Sequence, residues 1–147
     1  MPARGQIRPG VSAVVFDADG RVLLHRRTDN GLWSLPGGAV EYGEAVTEAL
    51  VREVREETGL TVTVQRLVGV YSHPDLGQIV TYPDGNVIHF VSLCFECVPA
   101  GGGELALSDE SSAVAWFDPA RLPSALMSLH RVRIADALAR APTPAVR

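Results

Sequence analysis

Short apolar runs alternate with turn-forming residues along most of the chain. Val11–Asp17 is apolar and β-branched and reads as a buried strand. Asp19-Gly20 makes a hairpin-like turn, with Arg21–Arg27 as its return strand. Thr28-Asp29-Asn30-Gly31 is a loop, followed by the extended piece Leu32–Leu35 and a stop at Pro36-Gly37-Gly38. Ala45–Thr58 holds neither Gly nor Pro, is rich in Ala, Glu, Arg and Leu, and precedes Gly59, which predicts a helix with a glycine cap. Thr61–Val70 returns to strand character. So do Gln78–Thr81 and the long apolar run from Val87, divided by the turn Tyr82-Pro83-Asp84-Gly85-Asn86. Pro99–Gly103 reads as a flexible loop, Ala113–Phe117 as a short strand, and Ser124–Ala139 as an amphipathic helix after Pro123. The Pro-rich tail Ala141–Arg147 is expected to fray. Strands interleaved with two helices imply an α/β fold with a mixed sheet covered by helices. No repeat or linker divides the chain, so residues 1–147 read as one domain.

The first helix breaks its own pattern. At about 100° per residue, Val46, Leu50 and Val54 form one apolar stripe, the face to bury against the sheet. Glu53 and Glu57 fall on or beside that stripe, and Glu56 lies about 60° to the side of Glu53. Like charges four apart repel, carboxylates near a helix C-terminus oppose the macrodipole, and partial burial adds desolvation. A divalent cation removes the conflict, since hard cations prefer carboxylate oxygens. The competing reading is a solvated acidic face. Two features weigh against it. Glu44 at the helix start and Arg52 among the carboxylates could fix their directions. Upstream, Leu35-Pro36-Gly37-Gly38 is a glycine-opened loop whose backbone can approach a metal or phosphate closely.

Composition narrows the remaining options. Hydrophobic residues make up 46% and charged residues 20%, which excludes a disordered or fibrous chain. The net charge of −4 argues against an extended nucleic-acid footprint. All 13 basic residues are Arg, so neither a Lys Schiff base nor a GxxxxGK phosphate loop exists. No run of roughly 18 apolar residues is present, so no membrane partner is expected. The N-terminal MPARGQIRPG lacks a signal-peptide apolar core, and a cytoplasmic location is expected. Cys94 and Cys97 have CxxC spacing, but on a strand their sulfurs face opposite ways and no second ligand pair completes a zinc site.

Gly38-x5-Glu44-x7-Arg52-Glu53-Val54-x-Glu56-Glu57-x-Gly59-Leu60 resembles the Nudix box and matches it at every defining position. The downstream Ala113-Val114-Ala115-Trp116-Phe117 is also similar to the family, so the resemblance spans about residues 8–140. It implies the Nudix fold, an α/β/α sandwich with a mixed sheet and a loop-helix-loop metal site. It further implies that Glu53, Glu56 and Glu57, with the Gly38 carbonyl, hold Mg²⁺ or Mn²⁺, and that Arg52 and Glu44 orient those carboxylates. Glu53 or Glu56 would be the base that takes a proton from water. The implied activity is hydrolysis of a phosphoanhydride in a nucleoside diphosphate linked to another moiety: a nucleoside triphosphate, a nucleotide sugar or ADP-ribose.

Outside the box, Glu110 on Ser108–Ser112 stands where many such enzymes carry an auxiliary acidic residue, although Ala113 replaces a second one. Trp33, Tyr42, Tyr71 and Tyr82 could stack on a base, and Arg26, Arg27 or His73 could touch phosphates; each has an ordinary packing or surface role as its alternative. His25 and His89 lie on strands and read as structural. The residues that would mark a particular substrate are absent: Leu76 stands where a Pro marks ADP-ribose enzymes, and Gly77 where a Tyr marks diadenosine polyphosphate enzymes. The small-molecule partner is thus a nucleotide of open identity, and homodimerisation is left open. A nucleotide-sensing module without catalysis is the alternative. Such modules usually lack one or more box carboxylates, and this chain lacks none.

Overall fold

The computed structural model describes residues 5–101 and 103–147. Its larger sheet is built on β1 (Gln6–Val15), which runs parallel to β7 (Val87–Pro99) along ten residue pairs, from Gln6↔Ile88 to Val15↔Cys97. β4 (Gly37–Ala39) closes the other edge of β1, and β5 (Val62–Tyr71) lies antiparallel to β7. β6 (Ile79–Thr81) pairs with the first residues of β7. A smaller antiparallel sheet joins β3 (Trp33–Ser34), β2 (Val22–Arg27) and β8 (Ser111–Phe117). Helix α1 (Val46–Thr58) and helix α2 (Ser128–Ala139) cover opposite faces. None of the described helices is long and apolar enough to cross a membrane.

Two-residue alternation assigns the faces. Val11, Ala13 and Val15 of β1 pack with Ala49, Leu50 and Val54 of α1. Val14 and Phe16 pack on the other side with Ile134 and Ala137 of α2. Leu23 joins the α1 core, and Val22 and Leu24 the α2 core. The cysteines obey the same rule: Cys94 lies in the α2 core, Cys97 in the α1 core, and both are buried free thiols.

Four expectations change. The Asp19-Gly20 turn makes only a single bridge, Phe16↔Val22, because β4 and β7 already occupy both edges of β1 and β2 must pair elsewhere. Gly37-Gly38 is not a loop but β4, paired against Ser12 and Val11. The second helix starts at Ser128 rather than Ser124; the residues before it hydrogen-bond with β3 instead, Trp33 N–H to Ala125 O and Met127 N–H to Trp33 O. The tail does not fray. Ala145-Val146 forms β9, parallel to β5, and the Arg147 guanidinium grips Asp136 at 2.9 and 3.0 Å.

Candidate active site

Helix α1 delivers the acidic residues. Its first turn is tied by the Glu48 carboxylate, which accepts the Ala45 N–H, and its end is closed by Gly59 at φ 83°. Between these limits the buried stripe Leu50, Val54, Glu57 runs straight into the core, so a carboxylate arrives where an apolar side chain would be ordinary. Glu57 is only 3% exposed. Its Oε1 accepts the Gly37 N–H at 2.8 Å. Its Oε2 lies 3.3 Å from His25 Nε2.

The hydrogens around His25 define its form. The Ser111 hydroxyl donates to the Glu57 carbonyl at 2.9 Å, so His25 Nδ1–H donates to Ser111 Oγ at 2.8 Å. Nε2 is then an acceptor, with the Ser34 hydroxyl at 3.1 Å. Burial holds His25 neutral, its pKa pulled down to about 4, with the Arg27 charge adding to the effect. The approach of Glu57 Oε2 to that lone pair is favourable while Glu57 keeps its proton. Burial pushes the Glu57 carboxyl up to about 8, and the Glu53 and Glu110 charges push the same way.

One oxygen each from Glu53, Glu57 and Glu110 lies within 4.8 Å of the others. Burial raises the Glu53 carboxyl as well, against the lowering pull of Arg52. Glu110 comes from the turn before β8, which is tied to the Thr28 loop by Thr28 N–H to Glu110 O and by the Thr28 hydroxyl to Asp109 O. Gly38 backs the trio: a Cβ there would sit 2.5 Å from Glu53 Oε1, so the carboxylate occupies the space that any other residue would fill. The set is all carboxylate oxygen, crowded, and short of positive charge, which fits a hard divalent cation.

Arg52 stands beside the trio. It holds Glu44 as a fork at 2.7 and 2.9 Å, and reaches Glu53 at 3.0 Å, Glu56 at 3.3 Å and the Ala39 carbonyl at 3.3 Å. That fork keeps Glu44 ionised, its pKa held down to about 2. Glu56 points outward to the rim, its side chain 54% exposed, and is not part of the trio.

The trio opens into a cavity of about 550 Å³. Arg27 lines it, paired with Asp29 at 2.9 and 2.7 Å, and so does Tyr82. Trp33, Arg26, His73, Tyr42 and Tyr71 do not border it. Trp33 packs edge-on against Phe117, ring centres 4.9 Å apart, and Arg26 is exposed. His73 caps a short turn by accepting the Asp75 N–H, and Tyr71 is buried in the α2 core. His25 is the residue that the sequence reading missed. Its signal was the strand alternation that places it on the same face as Leu23, toward α1.

A model of the NUDIX domain matches residues 6–138. The chain belongs to the Nudix family. It is a Nudix hydrolase with the family's α/β/α architecture, and Nudix hydrolases generally need a divalent metal. The chain is 41% identical over 128 residues to a MutT-like protein of Streptomyces ambofaciens, covering 87% of this chain and 75% of that one. It is 42% identical over 112 residues to an ADP-ribose pyrophosphatase of Methanocaldococcus jannaschii, covering 74% of this chain and 61% of that one. Among solved structures, an ADP-ribose pyrophosphatase from Streptococcus suis superposes with TM-score 0.70 at 27% identity, over 95% of this chain and 97% of the other. A MutT Nudix hydrolase from Burkholderia pseudomallei gives 0.69 at 30% identity, over 89% and 98%.

Proposed function

We propose that the chain is a Mg²⁺-dependent pyrophosphohydrolase, with Mn²⁺ able to substitute. It cleaves the phosphoanhydride of a nucleoside diphosphate linked to a second moiety. The observation that carries this reading is the convergence of Glu53, Glu57 and Glu110 at one end of the cavity. Glu53, Glu57 and Glu110 would hold the cation beside the Gly38 backbone, with Glu56 as a further ligand from the rim. When bound, the cation supplies charge neutralisation on the diphosphate and Lewis-acid polarisation of its oxygens. Arg52 fixes the direction of Glu53 and, through Glu44, the loop before the helix. Glu53, already raised by burial, is suited to accept a proton from attacking water. Arg27 offers a cationic side chain on the cavity wall to the diphosphate, and Tyr82 a face for a base.

Relatives named as an ADP-ribose pyrophosphatase and as a nucleoside triphosphatase make ADP-ribose and nucleoside triphosphates the first substrates to try, with nucleotide sugars beside them. The test is a panel of these with Mg²⁺, followed by chromatography of early products. The reading requires a nucleoside monophosphate together with pyrophosphate or a phosphorylated second moiety. No cleavage of any of them, with tight binding of one, would replace it by a sensing role.

A further inference from the structure

The inward stripe of α2 holds a second polar exception. His130, Arg133, Ile134 and Ala137 are its buried residues, spaced as one helical face. Arg133 is 4% exposed, and burial pulls its pKa down. A guanidinium stays charged in proteins, so a full positive charge sits in the core.

No carboxylate among the described residues pairs with it. Arg133 donates from one terminal nitrogen to Ser12 Oγ at 3.1 Å and from the other to Gln78 Oε1 at 3.4 Å, both neutral acceptors. Its Nε–H is buried with no acceptor at all. The guanidinium carbon lies 5.1 Å from the centre of the Tyr71 ring, a weak cation–π contact. Asp136, three residues on, is taken by the Tyr71 hydroxyl at 2.7 Å and by Arg147. A guanidinium has five N–H groups, and only two are in hydrogen bonds here.

Arg133 is also part of the wall of the cavity that the glutamate trio opens into. Its partners Ser12 and Gln78 line the same cavity, as does Ser92, whose hydroxyl donates to Gln78, and none of the three is acidic. The cavity wall therefore carries, besides the three glutamates, a buried cation that no carboxylate pairs with. Desolvating an unpaired ion is costly, and the strongest relief is a charge-assisted hydrogen bond donated by the guanidinium to an entering anion.

We infer that the wall of the cavity at Arg133 is an anion subsite, which takes a phosphate monoester or carboxylate group carried by the ligand in addition to its diphosphate. That this ligand is a substrate rests on the pyrophosphohydrolase reading; that the subsite binds an anion does not. Arg133 is the specificity residue, and Gln78 and Ser12 hold its fork in place.

Thermal unfolding of the full chain stripped of metal by a chelator tests this, with sodium phosphate or sodium acetate as probe and sodium chloride at equal ionic strength as control. The native protein should gain about 3–6 °C in Tm at ten times the dissociation constant of the probe. Arg133→Met should abolish the gain. Gln78→Glu places a carboxylate in the contact that Arg133 already makes, so it should fold and lose the gain too, which keeps the test open if Arg133→Met fails to fold. Response to phosphate alone assigns a phosphate monoester, and response to acetate alone a carboxylate. No gain in the native protein, or an undiminished gain in the folded variants, would overturn the subsite. Because no turnover is read, inactivity on the substrate panel with this anion response intact removes only the pyrophosphohydrolase reading.

Discussion

Glu57 has one backbone donor, the Gly37 N–H, and faces the lone pair of His25 Nε2 with Glu53 and Glu110 close by. At neutral pH it keeps a proton, since burial raises its carboxyl to about 8. A cation that uses Glu57 as ligand must displace that proton, so its binding competes with protonation. Apparent Mg²⁺ affinity should therefore rise by up to about tenfold per pH unit below pH 8 and level off above it, with proton release on binding. Calorimetry in buffers of different ionisation enthalpy measures both. Glu57→Gln should weaken binding and remove the pH slope; a flat native profile would show that Glu57 carries no proton to lose. Glu53→Gln keeps the shape but removes a ligand and base, and should lower turnover by about a hundredfold or more. Glu56→Gln, at the rim, should cost less than Glu53→Gln. Equal losses in steady-state kinetics would put Glu56 in the trio's role.

Among the elements, β4 shows how a site depends on backbone. Gly37 and Gly38 are adjacent, yet substitution should act differently at each. A Cβ at Gly37 would run into the Val11 carbonyl and Ser12 Cα, both backbone, so Gly37→Ala should destabilise the fold by about 1–3 kcal/mol in denaturant unfolding. The atoms nearest a Cβ at Gly38 are those at the end of the Glu53 side chain, which can swing away. Gly38→Ala should leave the unfolding midpoint nearly unchanged and weaken cation binding. The reverse pattern would mean that β4 does not position Glu53. Period-based reading made α1 legible, because Glu53 and Glu57 conflict with the Val46, Leu50, Val54 stripe. The same conflict was present on α2 at His130 and Arg133, hidden by an amphipathic pattern read too coarsely. Strand alternation correctly separated Cys94 from Cys97. What local pattern could not supply was pairing. That β4 and β7 fill both edges of β1, that Ala145-Val146 finds β5, and that the Glu110 turn swings onto α1 are all set by contacts distant in sequence.

Over the whole molecule, the buried ionisable groups set a pH profile. His25 and His130 are held neutral by burial, so below their ordinary value of 6.5 the unfolded chain binds more protons and stability rises with pH. Glu57 works in the opposite sense: between its ordinary 4.5 and about 8 the folded state binds the extra proton, so stability falls as pH rises. The two effects oppose each other up to 6.5; above it the histidines drop out and the raised carboxyl of Glu57 remains, with Glu53 raised in the same sense. Metal-free protein should lose Tm between pH 6.5 and 8, at most about 1.4 kcal/mol per pH unit and a few degrees in all. Glu57→Gln or saturating Mg²⁺ should flatten that fall; a loss that survives both would place its origin elsewhere. The central claim, that the trio serves hydrolysis of a phosphoanhydride, meets its most direct test in the bond that breaks. ADP-ribose and nucleoside triphosphates incubated briefly with the enzyme and Mg²⁺ in ¹⁸O-labelled water should give a nucleoside monophosphate and pyrophosphate or ribose phosphate, with label in one phosphoryl fragment. The Glu53→Gln protein should give almost none. Inorganic phosphate as the first product, or full turnover in Glu53→Gln, would contradict the account.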